Sequence, residues 1–577
     1  LKKEKNGTNR AIIAGLGFAF QIFWILSGVY ALNIWYPKLD IVLRVLSILL
    51  IFRILGKHTN SAIKIPWIIG ILVAPVAGLI LYALLGSRFT SISIRRRFKY
   101  IYGMADGVLQ RDRELMSRLK NIDPDVYGHV NYIDKFGNYP AYSNNDVVYF
   151  SEASDAIEKL KEELENAQKF IFMEYHAIED AGSFRAIEDI LKRKADEGLD
   201  IRVIYDDVGS LGFVDRPFSK RLNKEGIKCR VFNPVIPIVN IFMNNRDHRK
   251  ITVIDGKVGF TGGYNIADEY FNIVNPFGYW KDTGIMIKGR SVDNLTMIFL
   301  EMWHAMRRNK SERESLENLI NQYDMCNISY DVLNEKDLLE DDIEDKLVDT
   351  KGEDKIVDTK GEDKIVDTKG EPIDTQDKTV AIENKESSVT KSKNKLRILQ
   401  PFAENPLYEE QVAENVYLNL AKTSNDYLYI TTPYLIIDDI MRDELTLAAK
   451  RGVDVRIITP GIPDKKIIYA ITRSNYANLA RNGVKIYEYS PGFVHAKQHI
   501  SDDKCGVIGT INMDYRSLYL HFENGVYIYD EDLVKEMRID MENMFAQSED
   551  VTSKYSGRRS MRTRIWHGVL RFISPLL

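Results

Sequence analysis

Cysteine is nearly absent. The 577-residue chain has three, Cys229, Cys326 and Cys505. They are odd in number and widely separated. This excludes a disulfide framework or a CxxC metal clip and leaves ordinary reduced thiols. Histidine is scarce too, with nine in the chain, so a repeated pattern built on it carries information. Aromatics make up 11% of the chain yet are missing from residues 331–395. Charged residues are missing from residues 11–37 and 67–86. An excess of one charge is missing as well, with 78 Lys and Arg against 82 Asp and Glu. What remains is long and apolar enough, at 45% hydrophobic residues, to exclude wholesale disorder and a small stapled scaffold.

The near-neutral charge is a cancellation. Residues 1–100 hold fourteen basic and two acidic residues, residues 331–390 hold nine basic and twenty acidic, and residues 551–577 hold six basic and none acidic. The basic N-terminal part is also the most apolar. Segments at about 11–33 and 67–86 reach the length of a membrane-spanning helix, and a third, at about 39–56, carries Arg44 and Arg53. The first resembles a signal peptide with a weak site at Val29-Tyr30-Ala31. Its length and the further apolar segments favour a retained span. Basic residues before the first segment and after the third both ask for the cytosolic side, which two spans satisfy and three do not. The expectation is a multi-pass anchor of two or three helices, with the rest of the chain on the cytoplasmic face.

Residues 345–371 repeat a nine-residue unit, DKLVDTKGE followed twice by DKIVDTKGE. Units this short lack a buriable face, so residues 331–395 read as an acidic low-complexity linker. On either side of it the same order of elements occurs twice. Strand-like FIFMEY is matched by YLYITT, GLDIRVIYDD by GVDVRIITPG, and GIKCRVFN by GVKIYEYS. Alternating helical and β-branched stretches predict an α/β layered unit built twice.

Each copy closes on HxKxxxxD: His248, Lys250 and Asp255 in the first, His495, Lys497 and Asp502 in the second, 247 residues apart. The register continues, since Asn265 and Asn512 keep the same offset. His and Lys two residues apart on a strand share a face. Two such pairs brought together suit an anionic phosphodiester. The lysines and asparagines hold its oxygens, one His attacks phosphorus, and the other protonates the leaving oxygen. No metal or other cofactor is required for this. Asp255-Gly256 reads as a turn, so Asp255 and Asp502 either shape turns or move protons. Asp282 in WKDTG and Glu523 in FENG occupy comparable places after each motif and are candidates for fixing the His tautomers.

Paired HxKxxxxD motifs with a trailing GxxN resemble the phospholipase D superfamily. The phrases PWIIGILVAPVAGLILYALLG, FMEYH, TTPYLIID, RGVDVRII, VHAK, GTINMDYRS and HFENG are similar to those of its bacterial cardiolipin synthases. The resemblance covers nearly all of the chain outside 331–395. It implies two phospholipase D-like α/β/α sandwich domains forming a pseudo-twofold catalytic unit, preceded by transmembrane helices. The expected divisions are an anchor at 1–87, a connecting segment at 88–139, domains at 140–330 and 396–550 around the acidic insert at 331–395, and a basic amphipathic tail at 551–577. The implied reaction joins two phosphatidylglycerol molecules into cardiolipin and glycerol through a phosphatidyl-histidine. His248 and His495 would be nucleophile and general acid/base, with Lys250, Lys497, Asn265 and Asn512 on phosphate. Which His attacks is not decided by the motifs, nor is transfer against lipid hydrolysis. A nuclease or other phosphodiesterase is disfavoured by the apolar segments and the acidic insert, and no nucleic acid partner is expected. One departure stands out: Gly263 replaces the Thr510 of the second copy. In the tail, Met561, Ile565, Trp566, Val569, Leu570 and Ile573 fall near one helical face. Arg558, Arg562 and Arg571 are available for anionic membrane lipid; the alternative is that this face packs on the catalytic domains.

Overall fold

The computed structural model describes residues 37–57, 60–82, 97, 98, 101, 108–215, 217–235, 245–306 and 396–576, with a few scattered positions between 12 and 27. Apart from those positions the expected span at 11–33 lies outside the described residues, as does the acidic insert.

Three helices come first: α1 (Pro37–Leu55), α2 (Ser61–Val73) and α3 (Pro75–Leu81). Over the described part of the expected 67–86 segment, the helix is broken at Ala74. Proline lacks an N–H and disfavours helical geometry in the residue before it. Ala74 accordingly adopts φ −135° and ψ 78°, and Pro75 starts a new helix. The chain folds back so tightly that a Cβ on Gly78 would lie 2.6 Å from the Ile71 Cα. Ser47 of α1 closes the bundle by donating to the Pro75 carbonyl at 2.9 Å. Among the described residues, no helix is long and apolar enough to cross a membrane. Asn60 caps α2 through the Ala62 N–H and donates to the Tyr519 hydroxyl at 2.8 Å, tying these helices to the second half of the chain.

The two halves build one sheet each. The first contains β1 (Asp146–Phe150), β2 (Phe170–Tyr175), β3 (Asp200–Asp206), β4 (Lys228–Phe232), β5 (Lys250–Ile254), β6 (Val258–Gly262) and β7 (Gly284–Lys288). The second contains β8 (Ile398–Glu404), β9 (Tyr427–Thr431), β10 (Asp454–Pro460), β11 (Lys485–Tyr489), β12 (Gln498–Ser501), β13 (Cys505–Gly509) and β14 (Glu523–Tyr529). The first sheet runs β1-β7-β6-β5-β2-β3-β4, and the second repeats that order as β8-β14-β13-β12-β9-β10-β11. It gains a two-residue strand, Tyr142–Ser143, at one edge and Ser548–Asp550 at the other. In these two sheets β2, β3 and β4 pair in parallel, as do β9, β10 and β11, and all other neighbours are antiparallel. Every residue of β2 is buried, as expected of a strand covered on both faces.

Helix α4 (Ser291–Ala305) is buried along its whole length. It packs beneath the first sheet and is pinned to the second, where Asn294 donates to the Pro401 carbonyl and Ser291 to the Leu399 carbonyl. A single apolar core runs from Phe172 and Ile251 through α4 to Ile398 and Val526. Besides Tyr142–Ser143, two further short pairings cross between the halves: Tyr279–Lys281 lies parallel to Gly492–Val494, and Asp247 bridges to Phe522. These crossings bring His495 and His248 to the partner half.

Candidate active site

His248 and His495 each stand just before the central strand of a sheet, β5 and β12. Main-chain bonds fix both: His248 N–H donates to the Phe522 carbonyl and His495 N–H to the Lys281 carbonyl, each at 2.8 Å. The carboxylates are exchanged between halves. His248 Nδ1 lies 2.8 Å from Glu523 Oε2, and His495 Nδ1 lies 2.7 Å from Asp282 Oδ2. Nδ1–H donation to a carboxylate leaves Nε2 of each ring as the reactive atom. All four groups are buried.

Lys250 and Lys497 complete the cluster. Each ammonium turns back to the carbonyl of its own motif histidine, Lys250 Nζ to His248 O at 2.7 Å and Lys497 Nζ to His495 O. Burial is the main cause that lowers their proton affinity, to a pKa of about 8 for Lys250 and about 7 for Lys497. Both imidazoles are held well below the usual histidine range, first by burial and then by the two lysines. Asp282 is pushed up to about 6 by burial, against the pull of Lys497. A buried, cation-rich site of this kind is electrostatically matched to a phosphate diester, whose negative charge would restore the lysine protons.

The asparagines differ. Asn265 is committed, accepting from the Ala177 N–H at 3.0 Å and donating to the Tyr270 hydroxyl at 2.8 Å. Asn512 is buried with Oδ1 unpartnered. Asp255 and Asp502 are not brought into the cluster. Each sits beyond the far end of its strand, roughly 16 Å along the backbone from its lysine. Asp255 accepts from the N–H groups of Gln168, Lys169 and Phe170, and Asp502 from those of Asn425, Asp426 and Tyr427. Their φ angles are 55° and 58°, a left-handed conformation that Asp tolerates. This geometry supports the turn-shaping alternative and not proton work.

The site also contains side chains that the motifs did not single out. His176 and His521 flank His248, with ring centroids 4.9 and 5.7 Å away. Tyr270, Trp280 and Phe493 surround His495 at 5.3, 5.3 and 6.0 Å. The two histidines thus occupy different environments, one among imidazoles and one in an aromatic cage. His176 and His521 lie in FMEYH and HFENG, and the scarcity of histidine was the signal that could have picked them out. The hydroxyl of Thr510 donates to Glu523. His248, His521 and Glu523 place ligand atoms within 4.8 Å of one another. Two of the three are already joined by the His248–Glu523 hydrogen bond, and Lys250 adds a positive charge beside them.

Two sheets of one order, each delivering a His-Lys pair to a shared buried cluster, define a phosphotransfer enzyme of the phospholipase D type. Residues 160–303 and 417–545 match the family described as "Cardiolipin synthase, PLD-like domain". Residues 45–87 match "Phospholipase D-nuclease N-terminal". An uncharacterized protein of Streptococcus mutans serotype c is 34% identical over 91% of this chain and 99% of its own length. A cardiolipin synthase of Staphylococcus aureus is 29% identical over 92% of this chain and 95% of its own length. Among solved structures, the phosphatidylserine synthase of Haemophilus influenzae Rd KW20 superposes with a TM-score of 0.50. It covers 78% of this chain and 99% of that one at 14% identity, a likeness of fold. The chain belongs to the cardiolipin synthase family of the phospholipase D superfamily, and it is a phosphatidyltransferase.

Proposed function

We propose that the protein joins two phosphatidylglycerol molecules, releasing glycerol and forming cardiolipin, at the cytoplasmic face of a membrane. The observation that carries this reading is the reciprocal pair of dyads, His248–Glu523 and His495–Asp282. Two dyads aimed into one cluster suit a double displacement at phosphorus, in which one imidazole attacks while the other manages the proton.

In the first step His248 Nε2 attacks phosphorus, a P–N bond forms, and the P–O bond to glycerol breaks. The negative charge of the bound phosphodiester raises the proton affinity of His495, which gives its proton to the departing glycerol oxygen. In the second step neutral His495 takes the proton of a glycerol hydroxyl on another phosphatidylglycerol. That oxygen attacks phosphorus and His248 leaves. Lys250 and Lys497, with Asn512 Oδ1 nearby to orient a donor, meet the charge that grows on the phosphoryl oxygens. His248 is taken as the nucleophile and His495 as the acid; the two are not equivalent, since imidazoles flank His248 while an aromatic cage surrounds His495.

The anchoring reading draws support from apolar side chains left exposed on α1, including Val45, Leu49 and Phe52, and on α2, including Ile65, Ile69 and Leu72. A diacyl substrate stays in its bilayer, so the site must be held against it. Supplying labelled phosphatidylglycerol to membranes containing the protein tests the assignment. Cardiolipin with free glycerol is expected; phosphatidic acid as the main product would replace transfer with hydrolysis.

A further inference from the structure

The C-terminal segment builds a second basic recess away from the two dyads. Helix α5 (Lys466–Arg481) and tail helix α7 (Met561–Ile573) pack together with the short helix α6 (Thr552–Ser556), leaving a cleft of about 520 Å³. This lies within the range of small-ligand sites. Its wall carries Lys466, Arg473, Lys554, Arg559, Trp566 and His567. Arg473 is paired with Glu488 at 2.6 and 2.8 Å. Arg559 stacks on Tyr555 at 4.4 Å and lies 3.1 Å from His567 Nδ1. Among the described residues, no carboxylate lies within ion-pair distance of Lys466, Lys554 or Arg559. Three uncompensated cations therefore face one recess, and the N-terminus of α7, capped by Ser560, opens beside them.

The surroundings indicate where an anion would come from. One side of α7 is docked, since Leu570 shares a buried cluster with Ile471 and Tyr515, against which Ile573 and, from α2, Ala62 and Ile63 also pack. The other side is apolar and open: Met561 is 76% exposed, Ile565 and Trp566 58% each. The cleft thus opens beside an exposed apolar stripe that adjoins α2, itself exposed at Ile65 and Ile69. A soluble anion has no use for that stripe, whereas a lipid anion brings acyl chains to cover it. Lys465, just before Lys466, lies near enough for its charge to bear on both motif histidines.

We infer that this cleft binds the phosphate headgroup of an anionic bilayer phospholipid that is not the reacting molecule, and so seats the catalytic cluster against an anionic membrane. The inference rests on the proposal that the enzyme works on bilayer phospholipid. It adds a second lipid site, built from Lys466, Lys554 and Arg559, to the one at Lys250 and Lys497.

The test is a titration of the full-length protein in detergent with dihexanoyl phosphatidylglycerol, read through Trp566 fluorescence. His248→Ala is used as the background so that nothing is turned over, and Trp566→Phe is the blank. Saturable binding is expected. The double substitution Lys466→Ala/Arg559→Ala should weaken it by roughly fivefold or more per cation, and Lys466→Arg/Arg559→Lys should restore it. Unchanged affinity in the double variant would overturn the inference. So would equal affinity for dihexanoyl phosphatidylcholine, or for glycerol 3-phosphate, which has the phosphate without the chains. If the double variant melts early, Lys554→Ala alone carries the same comparison. Because the readout is binding, failure of cardiolipin synthesis would not be mistaken for failure of this site.

Discussion

Gly263 and Asp282 are in contact at a place where no side chain fits: a Cβ on Gly263 would lie 2.0 Å from Asp282 Oδ1. In the second half the matching position is Thr510, whose hydroxyl donates to Glu523. The two differences compensate. The shorter aspartate needs the space left by glycine to reach His495, and the longer glutamate is steadied by a hydroxyl. Gly263→Thr is therefore expected to expel Asp282 and to lower kcat about a hundredfold or more, the scale of a lost acid–base partner. Thr510→Gly should cost far less, since Glu523 keeps its bond to His248. Steady-state kinetics on phosphatidylglycerol check the pair, and equal losses in both variants would contradict this account.

The carboxylates themselves should matter through the tautomer they fix. Glu523→Gln and Asp282→Asn are each expected to reduce kcat at least a hundredfold with KM little changed, because an amide carries no charge to stabilise the imidazolium and can donate to Nδ1, so the tautomer is no longer fixed. The proteins should fold, since the substitutions are nearly isosteric. A large rise in KM with kcat preserved would show that these carboxylates hold the substrate instead.

Activity should depend on pH through the lysines on one side and the histidines on the other. Lys250 and Lys497 have depressed proton affinities, about 8 and about 7, so the free enzyme loses their positive charge as pH rises through that range. The basic limb of kcat/KM should fall there. Bound phosphate favours the charged lysines, so the basic limb of kcat should lie higher. His248 and His495 stay neutral to well below their usual range, so the acid limb should lie below pH 6.5. Coincident basic limbs for kcat and kcat/KM would contradict a phosphate role for the lysines.

Asp255 and Asp502 should behave as structural residues. Each carboxylate accepts three main-chain N–H groups. Charge-assisted bonds of this kind contribute about 1.5–3 kcal/mol. Asp255→Ala is expected to lower the melting temperature while the folded fraction turns over at near the normal kcat. Loss of turnover without loss of stability would return Asp255 to the chemistry.

Much of the catalytic cluster was legible because its residues are close in sequence and repeated. The HxK spacing put His248 with Lys250 and His495 with Lys497, and the equal offsets of Asn265 and Asn512 showed that the unit was doubled. What the sequence did not reveal depends on contacts across the chain. That Glu523 serves His248, and Asp282 serves His495, follows from the crossing strands Tyr279–Lys281 and Gly492–Val494 and the Asp247–Phe522 bridge. A local pattern carries no information about that exchange. Asp255 and Asp502 look catalytic because they belong to the motif, yet five residues of extended strand carry them away from it. The break at Ala74 was signalled by Pro75, but hydropathy summed over 67–86 hid it. In the tail, Leu570 packs inward while Ile565 and Trp566 stay exposed, a division that the helical periodicity alone did not decide.

The most direct measurement is chemical trapping of the covalent intermediate. Protein carrying His495→Ala is mixed with phosphatidylglycerol labelled in its acyl chains, quenched in denaturant under alkaline conditions that preserve phosphohistidine, and mapped by peptide. Label is expected on the peptide containing His248, and none should remain after His248→Ala. Label on the His495 peptide in the His248→Ala protein, with none on His248 in the converse variant, would contradict the assignment of nucleophile and acid.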